Sequence, residues 1–184
     1  RFTQKPIPFN VIKDLVNSAR LAPSSANKQP LEYLVIDDRE ILPGVFSTLK
    51  WAGYIAPEGN PPPGQQPAAY IIVLVNKKIR IRNYQRDVGA SCENIILAAL
   101  ERGIGSCWIC SINRRKLRTI LSIPSYFIID TVIALGYPAE SPVIEEIDKE
   151  GSIKYWKDEE GRLHVPKRRL EDILWRNSFS GQRI

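Results

Sequence analysis

Residues Ala69 to Val75, Ala-Tyr-Ile-Ile-Val-Leu-Val, are apolar without alternation, and no other stretch limits the fold as strongly. A strand wetted on one face alternates apolar and polar side chains, whereas one apolar on both faces is central and covered from both sides. The run therefore predicts a central strand between helical layers. A membrane span is a poor fit. The nearly uncharged stretch 59–76 has Pro61, Pro62, Pro63 and Pro67 in its first half, and its apolar part is far short of the roughly 20 residues a spanning helix needs.

The neighbouring segments supply the layers. Val11, Ile12, Leu15, Val16 and Ala19 form a one-sided stripe that predicts an amphipathic helix from Asn10, preceded by Pro6-Ile7-Pro8 and stopped by Pro23. Leu31 to Ile36 reads as a strand, and Ile41 to Trp51 as a short helix. Ala56 to Pro67 reads as a loop of the kind that covers a site. Asp87 is placed to cap a helix over Val88–Arg102, with Gly103 as its stop. A buried strand, Ile104 to Cys110, follows. Asn113 then caps a short basic helix, and Phe127 to Leu135 gives a further strand. The tail predicts a polar hairpin, Ile153–Trp156 against Arg162–Val165, and a final short helix, Leu170–Trp175. No repeat or domain boundary is evident, so residues 1–184 are expected to form a single domain.

With 43% hydrophobic and 25% charged residues, 4 Trp, 7 Tyr and 5 Phe, the composition excludes disorder and fibre. Lys and Arg number 26 against 20 Asp and Glu, an excess that suits an anionic ligand, a nucleic-acid surface or simple solubility equally well. The basic residues bunch at 77–82, 114–118 and 167–169. Three cysteines are too few for a disulfide scaffold and fit a reducing compartment, so a cytoplasmic location is expected.

Several chemistries lack their parts. Cys107-Trp108-Ile109-Cys110 has redox-dithiol spacing, but on a strand the two cysteines lie on opposite faces with Cα atoms about 10 Å apart, beyond the roughly 7 Å a disulfide tolerates. Buried structural cysteines are the better reading. The single histidine, His164, completes no metal set and reads as an exposed structural residue in the hairpin, and no serine lies in a nucleophile elbow. Gly103-Ile104-Gly105 lacks the third glycine of a dinucleotide fingerprint and follows a helix instead of opening one. No metal is expected. The remaining parts, Ser24-Ser25-Ala26-Asn27 and Lys167-Arg168-Arg169, suit a flat anionic cofactor, although each alone is better read as an ordinary loop or a solvated cluster.

Read together and in order, Pro6-Ile7-Pro8, the segment Ala19 to Pro30, Asp87-Val88-Gly89-Ala90, Gly103 to Ile109 and Ala134 to Pro138 resemble the nitroreductase family of FMN-dependent oxidoreductases. The closing segment Lys167 to Ile173 is similar to the family's C-terminal basic element. The resemblance implies an α+β sandwich, with a mostly antiparallel sheet flanked by helices, and an intertwined homodimer holding FMN at its interface. It places Ser24, Ser25 and Asn27 in the loop that touches the flavin, usually that of the partner subunit. Trp108, Ile109, Cys110 and Ser111 match the strand end whose backbone approaches the flavin ring, and Lys167, Arg168 and Arg169 match the phosphate-binding cations. Leu31 stands where the family has an aromatic residue, and the family's Arg-Arg-Ser-x-Arg arm would lie just before Arg1.

The implied activity is hydride transfer from NAD(P)H through the flavin to a nitroaromatic, quinone or flavin acceptor by a ping-pong mechanism. The chemistry then belongs to flavin N5, and the protein supplies orientation and exclusion of water. The alternatives are a family member with other chemistry, reductive dehalogenation or flavin fragmentation, or a non-enzymatic nucleic-acid binder using Arg114, Arg115, Lys116 and Arg118. The favoured reading involves neither nucleic acid nor membrane.

Overall fold

In the computed structural model, which describes residues 1–179, the apolar run forms a strand of an antiparallel sheet. The elements are α1 (Phe9–Arg20), β1 (Leu31–Ile36), α2 (Leu42–Phe46), β2 (Ala69–Asn76), α3 (Gln85–Glu101), β3 (Gly105–Ile109), α4 (Arg114–Ile120), β4 (Phe127–Gly136), β5 (Val143–Ile147), β6 (Trp156–Lys157) and β7 (Leu163–Arg168). The chain divides into two compact units. One comprises Arg1–Trp51 and Asn60–Ala139; the other comprises Ala52–Gly59 and the chain from Glu140 onward.

The first unit holds a four-stranded sheet in the order β1-β2-β4-β3, antiparallel throughout. All seven residues from Ala69 to Val75 are buried, as the two-faced pattern of a central strand requires. Ala69, Ile71, Val73 and Val75 share one core with Ile12, Leu15 and Ala19 of α1 and with Val88, Cys92, Ile95 and Ala99 of α3. α2 and α4 pack on each other, and α4 is tied to β4 by its arginines. The amino-terminal residues continue this unit: Phe2 pairs with Pro138, and a Cβ at Gly136 would come within 2.8 Å of the Phe2 ring, which only glycine avoids.

Several local expectations need correction. α3 begins at Gln85, so Asp87 lies inside the first turn and its carboxylate turns away from the helix end. β3 is an outer strand with half-exposed Trp108, because β4 pairs it on one side only. The helix expected over 41–51 shortens to the five residues of α2, after which Leu49 bridges to Ile112.

In the second unit β6 and β7 form the expected antiparallel hairpin, with Trp156 opposite His164. β5 adds a strand that the sequence did not announce, parallel to β7, in the order β5-β7-β6. The expected final helix is a single 3-10 turn, Leu170–Asp172.

Candidate functional site

After α1 the chain cannot continue helical past Pro23, and Ser24 is extended. A single 3-10 turn, Ser25–Asn27, follows, in which Ala26 (φ 54°) and Asn27 (φ 52°) are left-handed, as is Gln29 (φ 50°). Left-handed backbone at three non-glycine residues costs free energy and persists only where the surroundings enforce it. Four hydrogen bonds do so here. Asn27 N donates to Ser24 O at 2.8 Å, Gln29 N to Ser24 Oγ at 3.0 Å, Ser25 N to Asp87 Oδ1 at 3.0 Å, and Arg80 Nη1 to Ser25 O at 3.3 Å.

Asp87 is 4% exposed, and its second oxygen lies 3.7 Å from the Arg80 guanidinium. Beside the loop lies a cavity of about 160 Å³ lined by Ser24, Gln29, Leu31, Tyr33, Asp87 and Ser91 among others. A cavity of about 150 Å³ admits one benzene-sized ring, so a three-ring flavin exceeds it. Within it the Tyr33 and Ser91 hydroxyls lie 2.7 Å apart, and burial pushes the Tyr33 phenol above its ordinary range. The surface available to a flat ligand is therefore the exposed side of Ser25–Asn27.

At the far end of the same sheet, β3 places Ile109 inside (4% exposed) and Trp108 outside (39%). The Thr131 hydroxyl donates to Ile109 O at 2.7 Å and lies 3.6 Å from Cys110 Sγ. Ser111 O accepts from Lys50 N at 3.0 Å. The Arg114 guanidinium donates to Cys110 O at 3.2 Å, Ile129 O at 2.9 Å and Asp130 O at 2.7 Å, so the strand end is braced from below. Arg118 is similarly committed to the carbonyls of Ile123, Pro124 and Phe127. Two of the four cations that a nucleic-acid surface would have used thus hold backbone.

None of the three cysteines is in a disulfide, and Cys110 is exposed because β3 has ended before it; Cys107 is half-buried and Cys92 is buried, where desolvation pushes its thiol up to about 12. The expectation of buried cysteines fails at position 110 and is met only in part at position 107. Among the described residues no His, Cys, Asp and Glu cluster suits a metal ion.

The structure does not bring the two predicted flavin segments together within one chain. β1 and β3 are the outer strands, separated by three inter-strand spacings, or about 14 Å at roughly 4.8 Å each. Ser24–Asn27 precede β1, and Trp108–Ser111 end β3.

In the second unit Lys167 and Arg168 end β7 and Arg169 follows. Arg168 donates to Asp172 O at 3.1 Å, and Arg169 pairs with Asp148 at 3.1 Å. Arg169 Nε is buried and has no hydrogen-bond partner among the described residues, leaving one donor unmatched within the predicted phosphate cluster. His164 is not exposed as expected: its side chain is 14% accessible, Nδ1 lies 2.6 Å from Glu145 Oε1, Nε2 lies 3.1 Å from Asp158 Oδ2, and the ring stacks on Trp156 at 4.2 Å. The hydrogen bond to Asp158, joined by that to Glu145, raises the imidazole above its ordinary range, and the reciprocal bond lowers Asp158.

The Nitroreductase family model matches residues 1–137. A protein of Archaeoglobus fulgidus, provisionally named an NADH dehydrogenase/NAD(P)H nitroreductase, is 31% identical over 80% of this chain and 83% of its own length. The iodotyrosine deiodinase of Haliscomenobacter hydrossis is 25% identical over 80% of this chain and 78% of its own. A provisionally named nitroreductase of Desulfovibrio desulfuricans, solved in complex with FMN, shares the fold with a TM-score of 0.61 and 22% identity over 76% of this chain and 80% of that one. Among the described residues no helix is long and apolar enough to cross a membrane. With its α+β architecture and a family match over three quarters of its length, the chain belongs to the Nitroreductase family.

Proposed function

We propose that the protein is an FMN-dependent NAD(P)H oxidoreductase that acts as a homodimer on a nitroaromatic, quinone or flavin acceptor. The observation that carries this reading is the pinned left-handed loop at Ser24–Gln29, on one edge of a sheet whose other edge ends at Trp108–Ser111. In the homodimer a flavin would meet the β3 end of one copy and the Ser24 loop of the other. Residues 1–184 act as one FMN-binding domain in this reading, and cysteines that form no disulfide suit the cytoplasm.

The residues present fit the cofactor. Ser24 and Ser25 hydroxyls and the Asn27 amide offer hydrogen bonds to a polar ring edge. The outward Trp108 ring and the backbone of Ile109 give a wall that excludes water, and backbone groups of Cys110 and Ser111 approach the ring. Lys167, Arg168 and Arg169 take the phosphate, where the unmatched Arg169 Nε is a ready donor. FMN, when bound, supplies reversible acceptance of hydride, so no protein acid or base is required.

Both substrates use one cleft in turn. Anaerobic mixing with NADH or NADPH should bleach the flavin absorbance before an acceptor is present, and double-reciprocal plots should be parallel; intersecting lines would contradict a shared cleft. A second reading is reductive dehalogenation, favoured by the likeness to the iodotyrosine deiodinase. Release of halide from a halogenated phenol, with no turnover of quinones or nitroaromatics, would select it.

A further inference from the structure

The basic cluster at 77–82 has no part in the proposed flavin contacts, yet it is built. Asn76 organises it: its carbonyl accepts from Ile79 N and Arg80 N at 3.0 Å each, its Oδ1 accepts from Lys78 N at 3.0 Å, and its Nδ2 is held by Glu32 at 2.8 Å. Arg80 closes the segment by donating through Nε to Arg82 O at 2.7 Å, while its Nη1 reaches Ser25 O and Asp87. Lys78 turns aside over the Tyr126 ring at 4.4 Å. The remaining side chains line an open groove of about 530 Å³ with Lys28, Lys77, Arg80 and Arg82 as its charged groups, no carboxylate in its wall, and Ile79 and Ile81 exposed between the cations.

Asp87 offsets Arg80, so among the described residues Lys28, Lys77 and Arg82 remain as an excess of three positive charges around a shallow apolar strip. That pairing of cations with apolar surface fits a phosphorylated nucleoside, whose base packs on isoleucine while its phosphates meet the cations. Ser25 and Ala26 belong both to the groove and to the loop proposed to touch the flavin. Resting on the proposed function, we infer that the groove binds the adenylate end of the nicotinamide dinucleotide and that its three uncommitted cations select the 2′-phosphate, making NADPH the preferred reductant. The open groove suits a substrate that must leave before the acceptor enters. Its cations are solvent-exposed, so the interaction weakens with salt.

The test has two arms. Binding of 2′,5′-ADP and of 5′-ADP to the purified protein is measured by calorimetry at low and high salt, alone and for Lys77→Ala/Arg82→Ala. The expected result is at least tenfold tighter binding of 2′,5′-ADP, lost in the double variant and weakened by salt. In steady-state kinetics the same variant should raise KM for NADPH about tenfold and KM for NADH less than twofold, with kcat held. Equal affinity for the two nucleotides, or equal changes in both KM values, would overturn the inference while leaving the flavin reading intact. Absence of FMN binding would overturn that reading and with it the role of NADPH as reductant, whereas the 2′,5′-ADP titration would still decide whether the groove selects the 2′-phosphate.

Discussion

The peptide N–H of Ser25 donates to Oδ1 of Asp87 at 3.0 Å, joining residues 62 apart in sequence and fixing the candidate flavin loop to the first turn of α3. The carboxylate is buried and also faces Arg80, whose guanidinium holds Ser25 O. Asp87→Ala leaves the Ser25 amide without its acceptor and Arg80 without its counter-charge. Loss of such a partner costs about 1–3 kcal/mol, and denaturant unfolding should show a fall of that order. Asp87→Asn, which keeps an acceptor, should lose less, and FMN affinity should fall in the same order. Wild-type stability in Asp87→Ala would mean that the loop holds its shape without α3.

His164 is the single histidine of the chain, so its titration can be read without assignment ambiguity. The bonds from Asp158 and Glu145 raise it, and the imidazole in turn lowers Asp158. A raised histidine stabilises the fold fully below its unfolded value of about 6.5 and loses that effect as pH climbs through the folded value. A lowered aspartate contributes fully above about 3.9 and loses its effect as pH falls through its folded value. Both contributions are present between about pH 4 and pH 6.5. Proton NMR of the imidazole should give a midpoint above 6.5, and His164→Gln should flatten the stability profile on the alkaline side. A midpoint at or below 6.5 would show that the carboxylates do not hold the proton.

At the phosphate end, Arg169 pairs with Asp148 yet keeps Nε buried and unmatched among the described residues. Losing one charged hydrogen-bond partner costs about 1.5–3 kcal/mol, or roughly tenfold to more than a hundredfold in Kd. Arg169→Ala should therefore weaken FMN far more than riboflavin, which lacks the phosphate, while Arg115→Ala alters neither. Parallel titration of both flavins checks this, and equal losses would assign Arg169 to the fold or the ring.

The layers were legible because their signals are local. The unbroken apolar run of β2, the stripe of α1 and the Asn113 cap, whose Oδ1 accepts from Lys116 N at 3.1 Å, need only neighbouring residues. β5 was not legible: Val143, Glu145 and Ile147 alternate with Ile144 and Glu146 too briefly to mark a strand, and its parallel partner lies 21 residues on, Val143 opposite His164. His164 was misread for the same reason, since Glu145 reaches it only through that pairing. The left-handed turns at Ala26 and Gln29 escape sequence reading because neither residue favours them, and Asp87 looked like a cap because its acceptor role spans 62 residues. Arg114 and Arg118 looked like surface charge until their carbonyl partners were seen.

The central claim is that this chain holds FMN, and the most direct measurement is the visible absorption spectrum of the purified protein, followed by identification of the chromophore released on heating. The account predicts flavin bands and FMN in the supernatant or, for protein isolated without flavin, uptake of added FMN with a rise in Tm. A colourless protein that neither binds added FMN nor gains thermal stability from it would contradict the account.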